Sequence, residues 1–318
     1  MNAAQRFTVI VVNYNGGAML TACARSLIAA GLPAEQLVVI DNGSKDDSIE
    51  RLVASTPSCH VERMGCNAGF ARAVNRGLGQ VTTEFALLFN NDARLEPGAF
   101  EALAAAFNTL PRAAFVGGRL IHEDGRLQNA VAPLPTLLAE VVPKGLLRRL
   151  APTRYTGRPR GKAPLEVESL IGALFAVRMT AVQDFGPLDE DFFFFLEETE
   201  WCHRARRHGW QVWHVPKARA VHVQGATAKR YHAAARIEFQ RSKLLYFAKT
   251  QPKAYSLALI LLFLKAASNA LAHLMLLAVG GFLSPRRRAR AAVYGRVLAW
   301  YLAGRPEDVG LPDKCPKG

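Results

Sequence analysis

The run Phe7-Thr-Val-Ile-Val-Val-Asn-Tyr-Asn-Gly-Gly17 and its echo Leu37-Val-Val-Ile-Asp-Asn-Gly-Ser-Lys-Asp-Asp47 decide the fold class. Each opens with a short apolar stretch rich in β-branched residues, the pattern of a buried strand, and ends in Asn, Gly and Asp residues that stop it. Between them Ala18 to Ala30 carries helical spacing up to Gly31, and a second helix is expected from about Ser48 to Ala54. Two successive strand, loop and helix units imply an α/β chain with a mostly parallel sheet and ligand loops at the strand C-termini. An acidic residue closing the second strand, Asp41, is also what a nicotinamide dehydrogenase places on a ribose, but the first loop lacks G-x-G-x-x-G and has Asn13 and Tyr14 where the glycines belong. A loop-capping Asx turn accounts for Asp41 equally well.

Working outward, Glu84 to Phe89 reads as another buried strand and ends in Asn90-Asn-Asp92. Ahead of it lies Asn67-Ala-Gly-Phe-Ala-Arg-Ala-Val-Asn75, a loop entering a helix, where Asn67 can cap the following N–H groups and Gly69 lets backbone approach a ligand. Farther on, Asp191-Phe-Phe-Phe-Phe-Leu-Glu-Glu-Thr-Glu200 places three carboxylates behind four aromatic rings, and Glu197 to His208 reads as a helix stopped by Gly209 at C′. The helix dipole favours ionised carboxylates there while the apolar wall opposes ionisation, a balance suited to general-base work. Ordinary helix-start acids and a Glu200–Arg204 ion pair would produce the same letters. Gln211 to Val215 and Arg219 to Val223 read as two short strands, the second ending at His222.

Composition bounds the rest. With 318 residues, 50% hydrophobic and 21% charged, the chain is folded rather than disordered. Residues 1 to 120 hold ten Lys/Arg and ten Asp/Glu, and residues 121 to 318 hold thirty against sixteen, so the whole +14 excess lies after residue 120. Anionic lipid or a diphosphate-bearing acceptor suits that charge; nucleic acid ranks last because aromatics are not interleaved with the basic residues. Five cysteines, odd in number and without ligand spacing, indicate neither a disulfide framework nor a zinc site, and imply a reducing cytoplasm. The N-terminus lacks an apolar signal region, which argues against secretion.

The motifs "VIVVNYNGG", "VVIDNGSKDDS", "NAGFARAVN", "NND", "FFFFLEETEWCHRARRHGW" and His222-Val-Gln-Gly225, in that order over roughly residues 7 to 250, resemble family 2 inverting glycosyltransferases. The resemblance implies a GT-A, Rossmann-like nucleotide-sugar domain over residues 1–230; the proline-containing, basic stretch 121–166 reads as an acceptor-side insertion within it, and 231–318 reads from its own apolar and basic pattern as a helical, membrane-associated region. The resemblance also implies donor binding by Asn13, Tyr14, Asn15, Asp41, Asn67, Gly69, Phe70, Arg72 and Asn91, and a Mg²⁺ or Mn²⁺ ion held by Asp92 and His222. Glu198 takes the place of the family's catalytic aspartate, with Glu197 and Glu200 as neighbouring alternatives. Gly172-Ala173 resembles the step beneath the acceptor pocket. "RSKLLYF" at Arg241 to Phe247 and the insertion look most like the bacterial cell-surface rhamnosyltransferase branch. The implied partners are a nucleotide diphosphate sugar and a glycan or polyprenyl-diphosphate-linked acceptor. A non-catalytic sugar-nucleotide-binding module is the alternative.

Tyr231 to Thr250 reads as an amphipathic helix, and Ala254 to Leu283 as an apolar segment interrupted by Lys265, which shares one face with Asn269 and His273. Whether that segment spans or lies on a membrane is open at this level. Ser284-Pro285 then starts a helix with Arg286, Arg287, Arg288 and Arg290, opposed by Val293, Val297, Trp300 and Tyr301. This pattern predicts attachment at the cytoplasmic face of the inner membrane, peripheral or through one or two embedded helices.

Overall fold

The computed structural model describes residues 2–223, 232–279 and 284–315. Gly225 of the His-x-x-Gly motif, Tyr231 and Leu283 lie outside the described residues. The first apolar run forms β1 (Phe7–Asn13), followed by α1 (Gly17–Ala29), β2 (Leu37–Asp41), α2 (Ser48–Ser55), β3 (His60–Arg63), α3 (Phe70–Leu78) and β4 (Phe85–Phe89). β1 pairs in parallel with β2 on one side and β4 on the other, in a register that sets Asn13 opposite Asp41. The chain therefore travels outward through β3 and returns across β1 to β4. Such a reversal leaves a crevice beyond the strand C-termini, where loops of both directions meet.

The second half supplies β5 (Ala93–Leu95), α4 (Ala99–Thr109), β6 (Ala113–Ile121), β7 (Val131–Ala132), α5 (Leu137–Val141), α6 (Lys144–Leu150), α7 (Pro152–Tyr155), β8 (Leu165–Glu166), β9 (Ser169–Leu170), β10 (Leu174–Arg178), α8 (Met179–Phe185), α9 (Glu197–Arg207) and β11 (Gln211–His222). The main sheet runs β3-β2-β1-β4-β10-β6-β11-β5, with β8 on β11. Six of its nine strands run in one direction, and β10, β5 and β8 oppose them. The two strands expected after Trp210 are one strand, β11, whose register against β6 shifts between Val215 and Arg219. Pro216 has no N–H to donate, so the ladder lapses there and resumes past a bulge. Gly118 makes room for the bulge, since a Cβ there would stand 2.5 Å from Ala218 O.

Packing fixes α9 beside this sheet. Trp201 is fully buried, lies 4.6 Å from the Phe115 ring centre, and donates its indole N–H to Gly186 O at 2.8 Å. Deleting such a side chain costs about 3 to 5 kcal/mol. The helix that presents Glu197 and Glu198 is thus anchored one turn in.

Beyond the sheet, α10 (His232–Thr250), α11 (Tyr255–Ala278) and α12 (Pro285–Leu302) close on a cluster of their own that includes Leu244, Leu262, Val297 and Trp300. The tail after α12 returns to the sheet domain. Asn67 N donates to Asp313 O at 3.0 Å and Cys315 N to Asn67 O at 3.0 Å, which brings Cys66 and Cys315 into a disulfide with Cα atoms 5.1 Å apart. The cysteine count gave no sign of it, because the partners lie 249 residues apart and three cysteines remain unpaired.

Candidate functional site

A cleft opens at the C-terminal ends of β1 and β4. Tyr14, Asn67, Gly69 and Phe70 line one side, Asn91, Asp92 and His222 its floor, Phe193 to Phe195 the opposite wall, and Leu311 of the tail its rim. Gly69, at φ +90°, admits the aromatic wall. A Cβ there would meet Phe193 O at 2.7 Å, and the Phe70 N–H donates to that same oxygen at 2.7 Å. The close approach expected of this glycine is therefore made by the Phe193 backbone.

Several expected donor residues support the cleft from below. Asn13 is fully buried, with Nδ2 3.2 Å from Asp41 Oδ1, 3.0 Å from Ser44 Oγ and 2.9 Å from Ser48 Oγ, while its Oδ1 accepts from Asn91 Nδ2 at 3.0 Å. It locks three loops together, and neither Asn13 nor Asp41 is among the lining side chains. Asn15 accepts from Lys45 N at 2.8 Å and also stands off the cleft. Arg72 is not brought to the site. It lies on the solvent side of α3, 3.5 Å from Glu190. Asn67 caps as expected, accepting from Gly69 N at 3.2 Å, and it is clasped by the tail.

On the floor, His222 Nε2 stands 3.1 Å from Asp92 Oδ1, and both side chains are buried. Gln128 fixes the ring. Its amide nitrogen donates to the His222 carbonyl oxygen and, at 2.8 Å, to His122 Nδ1, so Oε1 faces His222 Nδ1 at 2.9 Å and must receive the proton carried there. The Nε2 lone pair then faces the Asn90 side-chain amide at 3.3 Å as well as the Asp92 carboxylate, and a cation or proton between ring and carboxylate would stabilise the second contact. Two ligands of a Mg²⁺-sized ion, each at about 2.1 Å in octahedral geometry, stand about 3.0 Å apart, so the pair fits such an ion. Among the described residues no third His, Cys, Asp or Glu completes a cluster, which leaves the other positions to ligand oxygens and water. Gln128 escaped sequence reading because it lies in a stretch without periodicity.

The other acidic centre is the first turn of α9. Phe195 and Leu196 both adopt left-handed backbone, at φ 73° and 65°, which is strained for such residues and marks a constrained entry to the helix. Burial raises the Glu197 carboxyl well above the usual glutamate range, and the neighbouring Glu198 charge adds to it. Glu198 is raised by burial alone and drawn back by backbone N–H groups of its own and of Gly172. One oxygen of each carboxyl is sealed from solvent without a hydrogen-bond partner. Repulsion between the two is mutual, so the pair resists holding two negative charges at once. Glu200 is committed elsewhere: it accepts from Arg204 at 2.9 and 3.1 Å, and Arg204 also holds Phe185 O and Pro187 O.

Comparison with known proteins bears on the fold and the family. A mannosyltransferase from Pyrobaculum calidifontis, solved with GDP-Man and Mn²⁺, superposes with a TM-score of 0.53 at 18% identity, over 95% of this chain and 88% of that one. The fold is that of the GT-A transferases. An N-acetylglucosaminyl-diphospho-decaprenol L-rhamnosyltransferase from Mycobacterium tuberculosis is 25% identical over 259 residues, covering 76% of this chain and 83% of that one. The dTDP-rhamnosyl transferase RfbF of Shigella flexneri is 24% identical over 192 residues, 59% of this chain and 60% of that one. Residues 8–185 match the sequence model of Glycosyl transferase family 2. The chain belongs to that family and is a glycosyltransferase similar to rhamnosyltransferases.

Proposed function

We propose that this glycosyltransferase moves rhamnose from a nucleotide diphosphate donor, dTDP-rhamnose by analogy with the Shigella relative, to a hydroxyl of a polyprenyl-diphosphate-linked glycan precursor, with inversion at the sugar. The observation that carries the reading is the His222–Asp92 contact, whose two facing acceptors suit a divalent cation. Asp92 and His222 would hold Mg²⁺ or Mn²⁺. Bound there, the ion would neutralise the leaving diphosphate. Tyr14, Asn67, Gly69, Phe70 and Asn91 line the donor's side of the cleft, while Asn13 and Asp41 brace its loops. Glu198 accepts the proton of the acceptor hydroxyl as that oxygen attacks the anomeric carbon, and the bond to the diphosphate breaks on the opposite face. Burial of Glu197 beside Glu198 opposes a second negative charge in the pocket.

The catalytic unit in this reading is residues 1–230, and residues 231–318 attach it to the cytoplasmic membrane face, where nucleotide sugars are made. In a reducing compartment Cys66 and Cys315 become thiols, and the backbone bonds through Asn67 keep the tail against the cleft. The test is transfer from radiolabelled dTDP-rhamnose to a polyprenyl-diphosphate-linked N-acetylglucosamine in micelles. Metal-dependent product of inverted configuration is expected. Transfer undiminished by EDTA, or with retained configuration, overturns the assignment.

A further inference from the structure

Lys265, the one charge inside the apolar segment, is paired, although its side chain is 46% exposed. Its Nζ lies 3.0 Å from Glu140 Oε2 on α5, and Glu140, whose side chain is only 8% exposed, also binds Lys243 of α10 at 2.8 Å. Burial raises the Glu140 carboxyl and the two ammonium groups more than offset it. Gln251 adds a bond to Pro135 O at 2.9 Å. The acceptor-side insertion is thus fastened to α11 at its middle.

Around that fastening α11 has two unlike faces. Ala258, Leu262, Ala266 and Ala270 pack against protein, while Leu257, Ile260, Leu264, Leu271, Leu274 and Met275 are exposed at helical spacing along the whole length. The insertion continues this character: Leu138 (61% exposed), Val141, Leu146 and Leu150 (72% exposed) stand out beside exposed Lys144, Arg148 and Arg149. Arg286, Arg287, Arg288 and Arg290 flank the far end of α11.

Resting on the membrane attachment proposed above, we infer that α11 does not cross the bilayer. It lies flat in the interface of an anionic membrane, and the insertion helices α5 and α6 are part of the same docking face. A crossing helix would carry Glu140, Lys243 and the irregular backbone about Pro135 and Pro143 to mid-bilayer depth, where lipid-exposed loops are not tolerated. Lying flat keeps those groups in protein and gives one apolar face to the acyl boundary, with seven basic side chains for anionic headgroups. The insertion on the acceptor side then sits where a lipid-linked diphosphate is presented.

The test places an environment-sensitive fluorescent amino acid at position 146, 257, 264 or 275 of the full chain. Each protein is bound to vesicles of phosphatidylcholine with a quarter phosphatidylglycerol, and its depth is read with shallow and deep spin-labelled lipids. All four positions should be quenched best by the shallow label, and Leu146→Glu with Leu150→Glu should weaken vesicle binding by about tenfold or more without changing the melting temperature. Deepest quenching at 264 with shallow ends at 257 and 275 means the helix crosses and overturns the proposal. An aqueous probe at 146 overturns the part given to the insertion. Absence of vesicle binding by the unlabelled chain removes the membrane reading itself.

Discussion

Asp92 and Glu198 are both carboxylates at the margin of secondary structure, one just past β4 and one in the first turn of α9, yet the protein treats them oppositely. Asp92 faces a histidine lone pair, with the ring orientation imposed by Gln128. Glu198 shares its pocket with a second carboxyl and leaves one oxygen with no partner at all. The first arrangement sets a carboxylate against a ring nitrogen, and the second sets two carboxyls side by side with an oxygen of each sealed from solvent. A cation suits the one and a substrate proton the other; Asp92 lines the cleft, while Glu198 stands beside Gly172, outside that lining.

Three substitutions break or sharpen that contrast. Glu198→Gln removes the base and should lower turnover by about 10² to 10⁴ with donor affinity kept; a variant retaining more than a third of the wild-type rate would assign the proton to another group. Gln128→Leu leaves Asp92 and His222 in place but frees the His222 tautomer, and should weaken Mn²⁺ affinity by about 10- to 100-fold with little effect on metal-free nucleotide binding. Unchanged affinity would show that the ring needs no such support. The smallest effect is on stability. Glu197 is raised in the native state, so the native protein binds that proton more tightly than the unfolded chain does. Stability from this group is complete below the ordinary glutamate value of 4.5 and is lost as pH rises through the raised native value. Glu197→Gln should therefore flatten the fall of melting temperature with rising pH above about 4.5, and an unaltered slope would remove Glu197 from the account.

Legibility in the sequence followed the range of the interactions. The runs at Phe7, Leu37 and Glu84 gave β1, β2 and β4 because a strand buried on both faces writes itself as consecutive apolar letters. Helix α9 was bounded to within a residue, since Gly209, at φ +81°, supplies its own stop signal. Asn13 and Asp92 were picked out as polar ends of such strands. Their different fates, one sealed in a hub of side-chain bonds and the other facing His222, depend on partners 28 to 130 residues away. Arg72 was drawn to the diphosphate by its motif, but the helix turns it outward to Glu190. Gln128, Leu311 and the Cys66–Cys315 pair carry no local pattern, because what places them is the return of irregular chain onto an already formed sheet.

The division of labour between the two acids is tested most directly by calorimetric titration of dTDP with Mn²⁺ into the wild-type protein, Asp92→Ala and Glu198→Gln. Asp92→Ala should lose the Mn²⁺-dependent part of nucleotide affinity, while Glu198→Gln should bind dTDP and Mn²⁺ as the wild type does. Equal losses in both variants, or full metal-dependent binding by Asp92→Ala, would contradict it.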